Sequence, residues 1–262
     1  MKKFLDYCYH THTSRCGHAV GEDEQYVIAA INTEYARIGF SDHIMLRGYS
    51  QPGIRGDYEL IDDYVASINE LKEIWKDRID IIIGFECEYY PQYVEYYKEL
   101  LSSGKIDYMI LGQHCHFING KMNWYFSDKS TGEDVKLYTD DLIAGMRTGL
   151  FKYVAHPDLY VEPFINFTGD LVECAHRICQ EALKLDMPLE INLNGFRRIS
   201  PNRIRLTYPC EAFWKIVGEY GCKVVMGVDA HSPRDFITAD YASGFKLIEK
   251  YNLNYIDDFR IK

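Results

Sequence analysis

The chain has 262 residues, of which 47% are apolar and 26% are charged, so its length suits one large α/β domain or two small ones. This composition is typical of a globular protein and excludes a disordered chain. The formal charge of −10 disfavours a broad nucleic-acid-binding face but leaves room for a small anionic substrate. Since no apolar run approaches the roughly 18 residues of a membrane helix, we expect no membrane span.

The N-terminal stretch, MKKFLDYCYHTHT, has two lysines but lacks the sustained apolar core of a signal peptide. We therefore expect a cytoplasmic protein. The eight cysteines are spread along the chain without a C-x-x-C pair. In a reducing compartment such cysteines are expected to be buried thiols rather than disulfides.

Short runs rich in Ile, Val, Tyr and Phe alternate with stretches of helical periodicity along the chain. The predicted strands are 4–9, 36–41, 79–85, 106–112, 151–155, 188–193 and 222–228. The predicted helices are 23–37, 57–76, 92–103, 134–148, 169–186, 210–220 and 239–251. Alternating strands and helices imply βαβ units and a parallel sheet. Seven strands favour a barrel over an open sheet, and without a linker or repeat we expect a single domain over 1–262.

Histidines and carboxylates collect at the carboxyl ends of six of the seven predicted strands. They are His10, His12 and His18 after the first strand, His43 after the second, Glu86 after the third, His114 after the fourth, His156 after the fifth, and Asp229 and His231 after the seventh. In a parallel barrel these ends share one face, where active sites are built.

One histidine at a strand end is more often structural than a metal ligand. Here, however, H-x-H and D-x-H each direct two donor groups to the same side, because side chains two residues apart share a face. The joint pattern favours a multinuclear metal site. Mixed nitrogen and carboxylate ligands suit zinc, manganese or iron, and the sequence does not decide among them.

Seven motifs follow one another from residue 10 to residue 233: HTHTSRCGHA, GFSDH, GFECEY, LGQH, AHPD, EINLNGFR and GVDAHSP. In type and order they resemble the motifs of the polymerase-and-histidinol-phosphatase (PHP) superfamily, and most of all those of its bacterial histidinol-phosphate phosphatases. The resemblance implies an α/β fold, a distorted (β/α)7 TIM-like barrel of parallel strands with a metal site at its C-terminal face.

The resemblance also implies three divalent metal ions. One would take His10, His12, Glu86 and Asp229; a second, bridged by Glu86, would take His114 and His156; and a third would take His18, His43 and His231. The motif GQHCHF offers His116 as an alternative to His114. His114 keeps the family's spacing from the strand, so His116 is predicted to be a pocket residue.

Two cations about 3.5–4 Å apart can hold a bridging hydroxide that attacks phosphorus, and the third would bind phosphate oxygens. Glu86 and Asp229 are therefore candidate catalytic residues as well as ligands. Asp42, His116 and Asp229 are the candidates for a general acid.

Phosphate recognition is predicted from fewer signals. Arg197 matches the arginine of the family's E-x-N-x-x-G-x-R motif, and Asn192 is expected to face the pocket beside Glu190. The loop after His156 lacks a second arginine that some relatives have, so Arg15 and Arg47 are candidate substitutes. Leu193-Asn194 stands where relatives often have Thr-Ser. The loop that carries Arg197 has three further arginines, Arg198, Arg203 and Arg205. The tyrosines that could line an organic pocket are Tyr89, Tyr90, Tyr125, Tyr160 and Tyr208.

We therefore expect a phosphomonoesterase acting on L-histidinol phosphate in histidine biosynthesis. The alternatives are a relative that hydrolyses nucleotides or another small phosphate ester, and a metal-bound accessory domain without turnover. Because none of the nine ligand positions is lost, the sequence favours a live enzyme. The expected partner is a small phosphate ester, with no membrane and with nucleic acid disfavoured; the sequence does not predict an oligomeric state.

Overall fold

The computed structural model describes residues 5–118, 120–197, 199, 202 and 204–261. Its strands are β1 (Tyr7–Cys8), β2 (Arg37–His43), β3 (Asp80–Cys87), β4 (Tyr108–Leu111), β5 (Cys115–Ile118), β6 (Lys121–Trp124), β7 (Leu189–Asn192), β8 (Lys223–Gly227) and β9 (Asn254–Tyr255). Its helices are α1 (Asp23–Asn32), α2 (Ile61–Trp75), α3 (Val94–Ser102), α4 (Gly132–Arg147), α5 (Asp170–Leu185), α6 (Leu193–Phe196), α7 (Glu211–Tyr220), α8 (Asp235–Thr238) and α9 (Tyr241–Tyr251).

Parallel pairing runs around a closed ring of seven backbone segments. Strands β1 to β4 pair in chain order, and β7 pairs with β8. Val154 bridges Leu111 of β4 to Leu189 of β7. The ring closes where Thr11 bridges Ala230, with the His12 amide donating to the Ala230 carbonyl at 2.8 Å. The expected α/β barrel with seven parallel strand positions is confirmed.

The register of these strands brings the predicted site residues to one end. His43 lies directly opposite Glu86 across the β2–β3 pair. The Thr11–Ala230 bridge likewise places the H-x-H and D-x-H motifs side by side, since each motif flanks one residue of that bridge. The sheet therefore aligns donors that are far apart in sequence.

The helices pack their apolar faces on the outside of this ring. In α5, for example, Leu171, Cys174, Ile178 and Ala182 are buried at a spacing of three or four residues, which is why this segment forms an amphipathic helix. Fully burying a side chain of this size stabilises the fold by about 1.5–3 kcal/mol. All eight cysteines are buried free thiols, as predicted.

Four features differ from the sequence prediction. The predicted fifth strand, 151–155, is reduced to the single bridge at Val154. An antiparallel hairpin formed by β5 and β6 was not predicted, nor was β9, which pairs with the start of β8. Helix α1 ends at Asn32, five residues before the predicted end, because Glu34 turns the chain with a φ of 63°. Among the described residues, no helix combines the length and apolar character needed to span a membrane.

Candidate metal centre

Glu86 stands at the middle of the candidate site. It is 1% exposed at the end of β3, and its two carboxylate oxygens face different imidazoles. Oε2 lies 3.5 Å from His10 Nε2, 3.4 Å from His12 Nε2 and 3.1 Å from His43 Nδ1. Oε1 lies 2.8 Å from His156 Nε2 and 3.6 Å from His114 Nε2. A carboxylate so placed can contribute one oxygen to each of two cations.

Asp229 forms the opposite wall of the first donor group. Its Oδ1 lies 3.5 Å from His10 Nε2, 3.2 Å from His12 Nε2 and 3.4 Å from His231 Nδ1. The His18 ring is stacked loosely nearby, with its centroid 4.8 Å from that of His231 and 5.4 Å from that of His43. The nine predicted ligand residues are thus brought together, with His18 and His231 toward solvent.

Several buried nitrogens at this site have no hydrogen-bond partner among the described residues. They are Nε2 of His10, both ring nitrogens of His12, Nδ1 of His43 and Nδ1 of His156. Burying an unpaired polar atom costs free energy, so such atoms are rare and call for a partner. Imidazole nitrogens that converge on carboxylate oxygens are the donor set that zinc, manganese and iron prefer. The residues present therefore fit divalent cations.

The protonation states of the histidines and carboxyls at this site also bear on metal binding. Burial, together with the charge of His231, lowers the pKa of His12 to about 3, and burial also lowers that of His43, so both imidazoles are neutral near pH 7. Burial opposes the ionisation of Glu86 and Asp229, but His10 and its neighbours hold the pKa of both carboxyls well below the usual range. Neutral imidazoles and ionised carboxylates are the metal-binding forms of these groups. At His10 and His114 burial opposes protonation, but the neighbouring acids raise the pKa, so a cation would displace a proton from these two rings.

A second layer of buried acids supports the imidazoles from behind. Glu190 lies 2.9 Å from Nδ1 of His10 and accepts the backbone N–H of His156. Glu88 lies 3.3 Å from Nδ1 of His114. A carboxylate at the outer nitrogen fixes the orientation of the ring and directs its other nitrogen inward. Both acids belong to quoted motifs but were not predicted to have this role; their i, i+2 spacing from Glu86 and Asn192 was the available signal.

Asp42 occupies a third such position, beside His12. Its carboxylate accepts hydrogen bonds from the backbone N–H and the hydroxyl of Thr13, and its Oδ1 lies 3.9 Å from Nδ1 of His12. Burial raises the pKa of Asp42 to about 7. The candidate general acid is thus fully buried behind the histidine cluster.

The backbone at the strand ends is shaped to admit these groups. A Cβ built on Gly112 would overlap the Glu86 carboxylate, and one on Gly227 would overlap that of Glu190. Glycine is required at both positions by this close approach. His156 and Asp229 have positive φ angles of 30° and 52°, which non-glycine residues rarely adopt and which concentrate at functional sites.

The donor groups open into a cavity of about 440 Å³. Apart from the histidines, Glu86 and Asp229, its lining consists of Ile54, Trp124, Phe126, Leu159, Glu162, Asn194 and Tyr208. Trp124, at the end of the unpredicted hairpin, is 54% exposed and lies edge-on to His114, with 6.4 Å between ring centroids. The cavity is therefore polar at the imidazoles and largely aromatic or aliphatic toward the hairpin.

The structure places the other predicted site residues in different surroundings. Asn192 lies beneath the site, where its amide donates to Glu190 and Asp229. His116 instead stacks on Tyr125 with 4.8 Å between ring centroids and does not line the cavity. Among the predicted tyrosines, Tyr208 lines the cavity, whereas Tyr90, Tyr125 and Tyr160 are buried in the core.

The predicted arginines are engaged elsewhere. Arg15 pairs with Asp23 at 2.8 Å and with Asp63 at 3.0 Å. Arg47 lies over the ring of Tyr96 and pairs with Glu99, lining a separate depression on the outside of the barrel. The structure therefore does not bring Arg15 and Arg47 to the cavity, since nearer acids and rings hold both.

Arg197 lies closer to the site. Its Nη1 pairs with Asp235 at 2.6 Å, and Asp235 in turn accepts the backbone N–H of His231. Arg205 pairs with Asp128 on the surface. Arg198 and Arg203 lie outside the described residues.

With this geometry established, comparison with known proteins identifies the class. The family model described as the PHP domain matches residues 9–194. The chain therefore belongs to the PHP domain family.

The names of two relatives are more specific than the family description. A protein of Deinococcus radiodurans named "Probable histidinol-phosphatase" is 28% identical over 229 residues, covering 86% of this chain and 85% of the relative. A protein of the same name from Schizosaccharomyces pombe is 25% identical over 253 residues, covering 86% of this chain and 80% of the relative.

A solved structure shares the fold. Histidinol phosphate phosphatase (HisK) from Lactococcus lactis, complexed with zinc, L-histidinol and phosphate, has a TM-score of 0.72 at 20% identity and covers 97% of this chain and 96% of its own. At this identity the likeness concerns the fold alone.

Proposed function

We propose that the chain is a metal-dependent phosphomonoesterase that hydrolyses L-histidinol phosphate to L-histidinol and phosphate. The proposal rests chiefly on the Glu86 carboxylate, whose two oxygens face separate imidazole groups that line the cavity. The PHP domain and the histidinol-phosphatase relatives support it.

Three divalent cations are proposed here, held by His10, His12, His18, His43, Glu86, His114, His156, Asp229 and His231. Bound cations would neutralise the charge that builds up at phosphorus. They would also lower the pKa of a bound water molecule to about 7. Glu86 and Asp229 balance the cationic charge, while the neutral His12 and His43 supply lone pairs. Glu190 and Glu88 keep two imidazoles oriented, so little reorganisation is needed when substrate binds.

The aromatic half of the cavity is proposed to hold the organic part of the substrate. L-histidinol carries an ammonium group and an imidazole, which need a negative charge and flat apolar walls. Glu162 provides a carboxylate in the lining, and Trp124, Phe126 and Tyr208 provide ring faces. Cations over aromatic rings are attracted by about 0.5–2 kcal/mol each. This combination fits a cationic heteroaromatic alcohol better than a sugar.

The phosphate end is proposed to use Arg197 and the amides near Asp229. Asn194 lines the cavity, and its side-chain amide donates to Asp229 at 3.1 Å. Arg197, held by Asp235 beside His231, is the proposed arginine contact for a phosphate oxygen.

We further propose one domain over 1–262 and a cytoplasmic location.

The proposal is tested by phosphate release from a panel of esters after loading with manganese or zinc. The panel contains L-histidinol phosphate, mononucleotides, sugar phosphates and p-nitrophenyl phosphate. We expect kcat/KM for L-histidinol phosphate to exceed that for every other ester. Preference for a mononucleotide would retain the chemistry and reject the substrate. Full metal loading without turnover of any ester would favour the accessory-domain alternative.

A further inference from the structure

Arg55 is a buried arginine beneath the metal centre. It lies in the loop between β2 and α2 and is 2% exposed. Its guanidinium donates two hydrogen bonds to Glu88, at 2.9 Å and 3.1 Å. Further bonds run to the Ile44 carbonyl at 3.0 Å and to the Gln51 side chain at 2.9 Å. A charge is buried this deeply only where such partners compensate it.

Glu88 connects Arg55 to the histidine His114 of the site. Its Oε1 accepts from Arg55 and lies 3.3 Å from Nδ1 of His114. The other nitrogen of His114 is 3.2 Å from Nε2 of His156 and 3.6 Å from Glu86 Oε1. A ring whose Nδ1–H donates to Glu88 presents the lone pair of Nε2 toward Glu86. The order of contacts is therefore Arg55, Glu88, His114 and then the metal pocket.

The same guanidinium also contacts the hairpin. Arg55 Nη2 lies 3.7 Å from the sulfur of Met122, on the strand that ends at the cavity-lining Trp124. One buried cation thus contacts the carboxylate behind His114, the β2–α2 loop and the hairpin.

The opposite side of the centre is built without such a cation. Glu190, behind His10, is held by the Asn192 amide and by the backbone N–H of His156. Loss of Arg55 would therefore disturb the His114 side and leave the His10 side supported.

We propose that Arg55 is a positioning residue that holds Glu88 against His114 and thereby raises the affinity of the His114–His156 position for a divalent cation. This inference rests on the proposed metal centre.

The test is calorimetric titration of metal-free Arg55→Met with Mn²⁺ alone. We expect one of the three binding events to weaken at least tenfold while the others keep wild-type affinity, since such supporting contacts change metal affinity about 10–100-fold. Glu88→Gln should weaken the same event. The double variant should be no worse than either single one, because both changes break one chain of contacts.

A matched control is Arg147→Met. Arg147 also makes two hydrogen bonds to a glutamate, Glu181, but between the outer helices α4 and α5. It should leave every binding event unchanged. If Arg55→Met does not fold, as judged by circular dichroism, Arg55→Lys is titrated instead; it keeps the buried charge but loses the fork geometry.

Folded variants that bind all ions with wild-type affinity would overturn the role of Arg55. Equal weakening of all ions would also overturn it, because that result indicates general destabilisation. A wild-type chain that binds no Mn²⁺ would instead contradict the proposed function on which the inference rests.

Discussion

The two ends of the barrel interior both contain buried polar rings, but they use their polar atoms differently. At the lower end, the hydroxyls of Tyr7, Tyr9 and Tyr108 donate to backbone carbonyls at 2.7–3.1 Å. The C-terminal segment supplies two of those carbonyls, Ile256 and Phe259. At the upper end, imidazole nitrogens of His10, His12, His43 and His156 have no such partner among the described residues.

This difference separates a structural cluster from a binding site. The tyrosines satisfy one another and the backbone, so their end of the barrel is complete with protein atoms alone. The histidines converge on Glu86 and Asp229 with lone pairs unassigned, an arrangement that protein atoms do not complete. Buried polar rings therefore serve stability at one end and, in our proposal, metal binding at the other.

Among single substitutions, Glu86→Ala should impair the upper end of the barrel most. We expect kcat/KM to fall roughly 10³-fold or more, because several kcal/mol of charge stabilisation depend on the cations that Glu86 helps to hold. Metal analysis should show at least two ions lost per chain. Glu70→Ala, an exposed position on α2, should change neither quantity. If Glu86→Ala kept the wild-type number of metal ions per chain, Glu86 would not bridge two of them.

Removal of metal by a chelator should destabilise the upper end specifically. At a free concentration about 1,000 times the dissociation constant, bound cations contribute about 4 kcal/mol to the free energy of unfolding. Chelation should lower the melting temperature correspondingly, and added Mn²⁺ or Zn²⁺ should restore it. An unchanged melting temperature would indicate that the imidazoles do not bind metal in solution.

Arg197→Ala tests the phosphate end of the same face. A charge-assisted hydrogen bond contributes about 1.5–3 kcal/mol, so the Michaelis constant for a phosphate ester should rise about tenfold or more with metal content unchanged. Arg234→Ala, exposed in the neighbouring turn, is the control. An unaltered Michaelis constant would leave Arg197 as a partner of Asp235 only.

Tyr108→Phe tests the lower end. The Tyr108 hydroxyl donates to the carbonyls of Tyr9 and Phe40, and its loss leaves buried acceptors unpaired. Denaturant unfolding should show a loss of about 1–2 kcal/mol, while metal content and kcat stay at wild-type values. Tyr251→Phe, whose hydroxyl bonds to exposed Glu211, should cost less than about 0.5 kcal/mol. A loss of metal in Tyr108→Phe would contradict the separation of the two ends.

The smallest effect is expected at the cavity wall. Glu162→Gln should raise the Michaelis constant for L-histidinol phosphate about three- to fivefold, because a partly exposed ion pair contributes less than about 1 kcal/mol. The constant for p-nitrophenyl phosphate, which lacks a cation, should not move. Glu95→Gln on the exposed face of α3 is the matched control. Equal changes for both esters would remove Glu162 from substrate recognition.

Much of the fold was predictable because its elements are regular in sequence. The three-to-four-residue rhythm of α2 and α5 and the apolar runs of β2 and β3 place helices and strands within a few residues of their bounds. The donors were predictable for a related reason, since each follows a strand and the carboxyl ends of parallel strands share one face.

The hairpin of β5 and β6 escaped prediction because each of its strands has only four residues, although β6 alternates polar and apolar side chains. A second local signal was the Asn119-Gly120 pair, a turn sequence typical of hairpins. Gly120 indeed has a φ of 75°. Missing the hairpin meant missing Trp124 as a cavity wall and placing His116 in the pocket.

Arg15 and Arg47 show the limit of reasoning from strand ends alone. Both follow strands whose ends form the site, yet Asp23 and Glu99 hold them outside the cavity. Arg55 shows the converse, because nothing in its loop sequence reveals that it pairs with Glu88 across the barrel wall. Long-range ion pairs of this kind depend on tertiary geometry rather than on local pattern.

The central claim is that cations complete the upper end of the barrel. The most direct test is an anomalous difference map from a crystal grown with Mn²⁺ or Zn²⁺. We expect peaks about 2.0–2.2 Å from the imidazole nitrogens and carboxylate oxygens around Glu86 and Asp229. A map without peaks there, or with peaks only at His116, would contradict a metal centre at this end of the barrel.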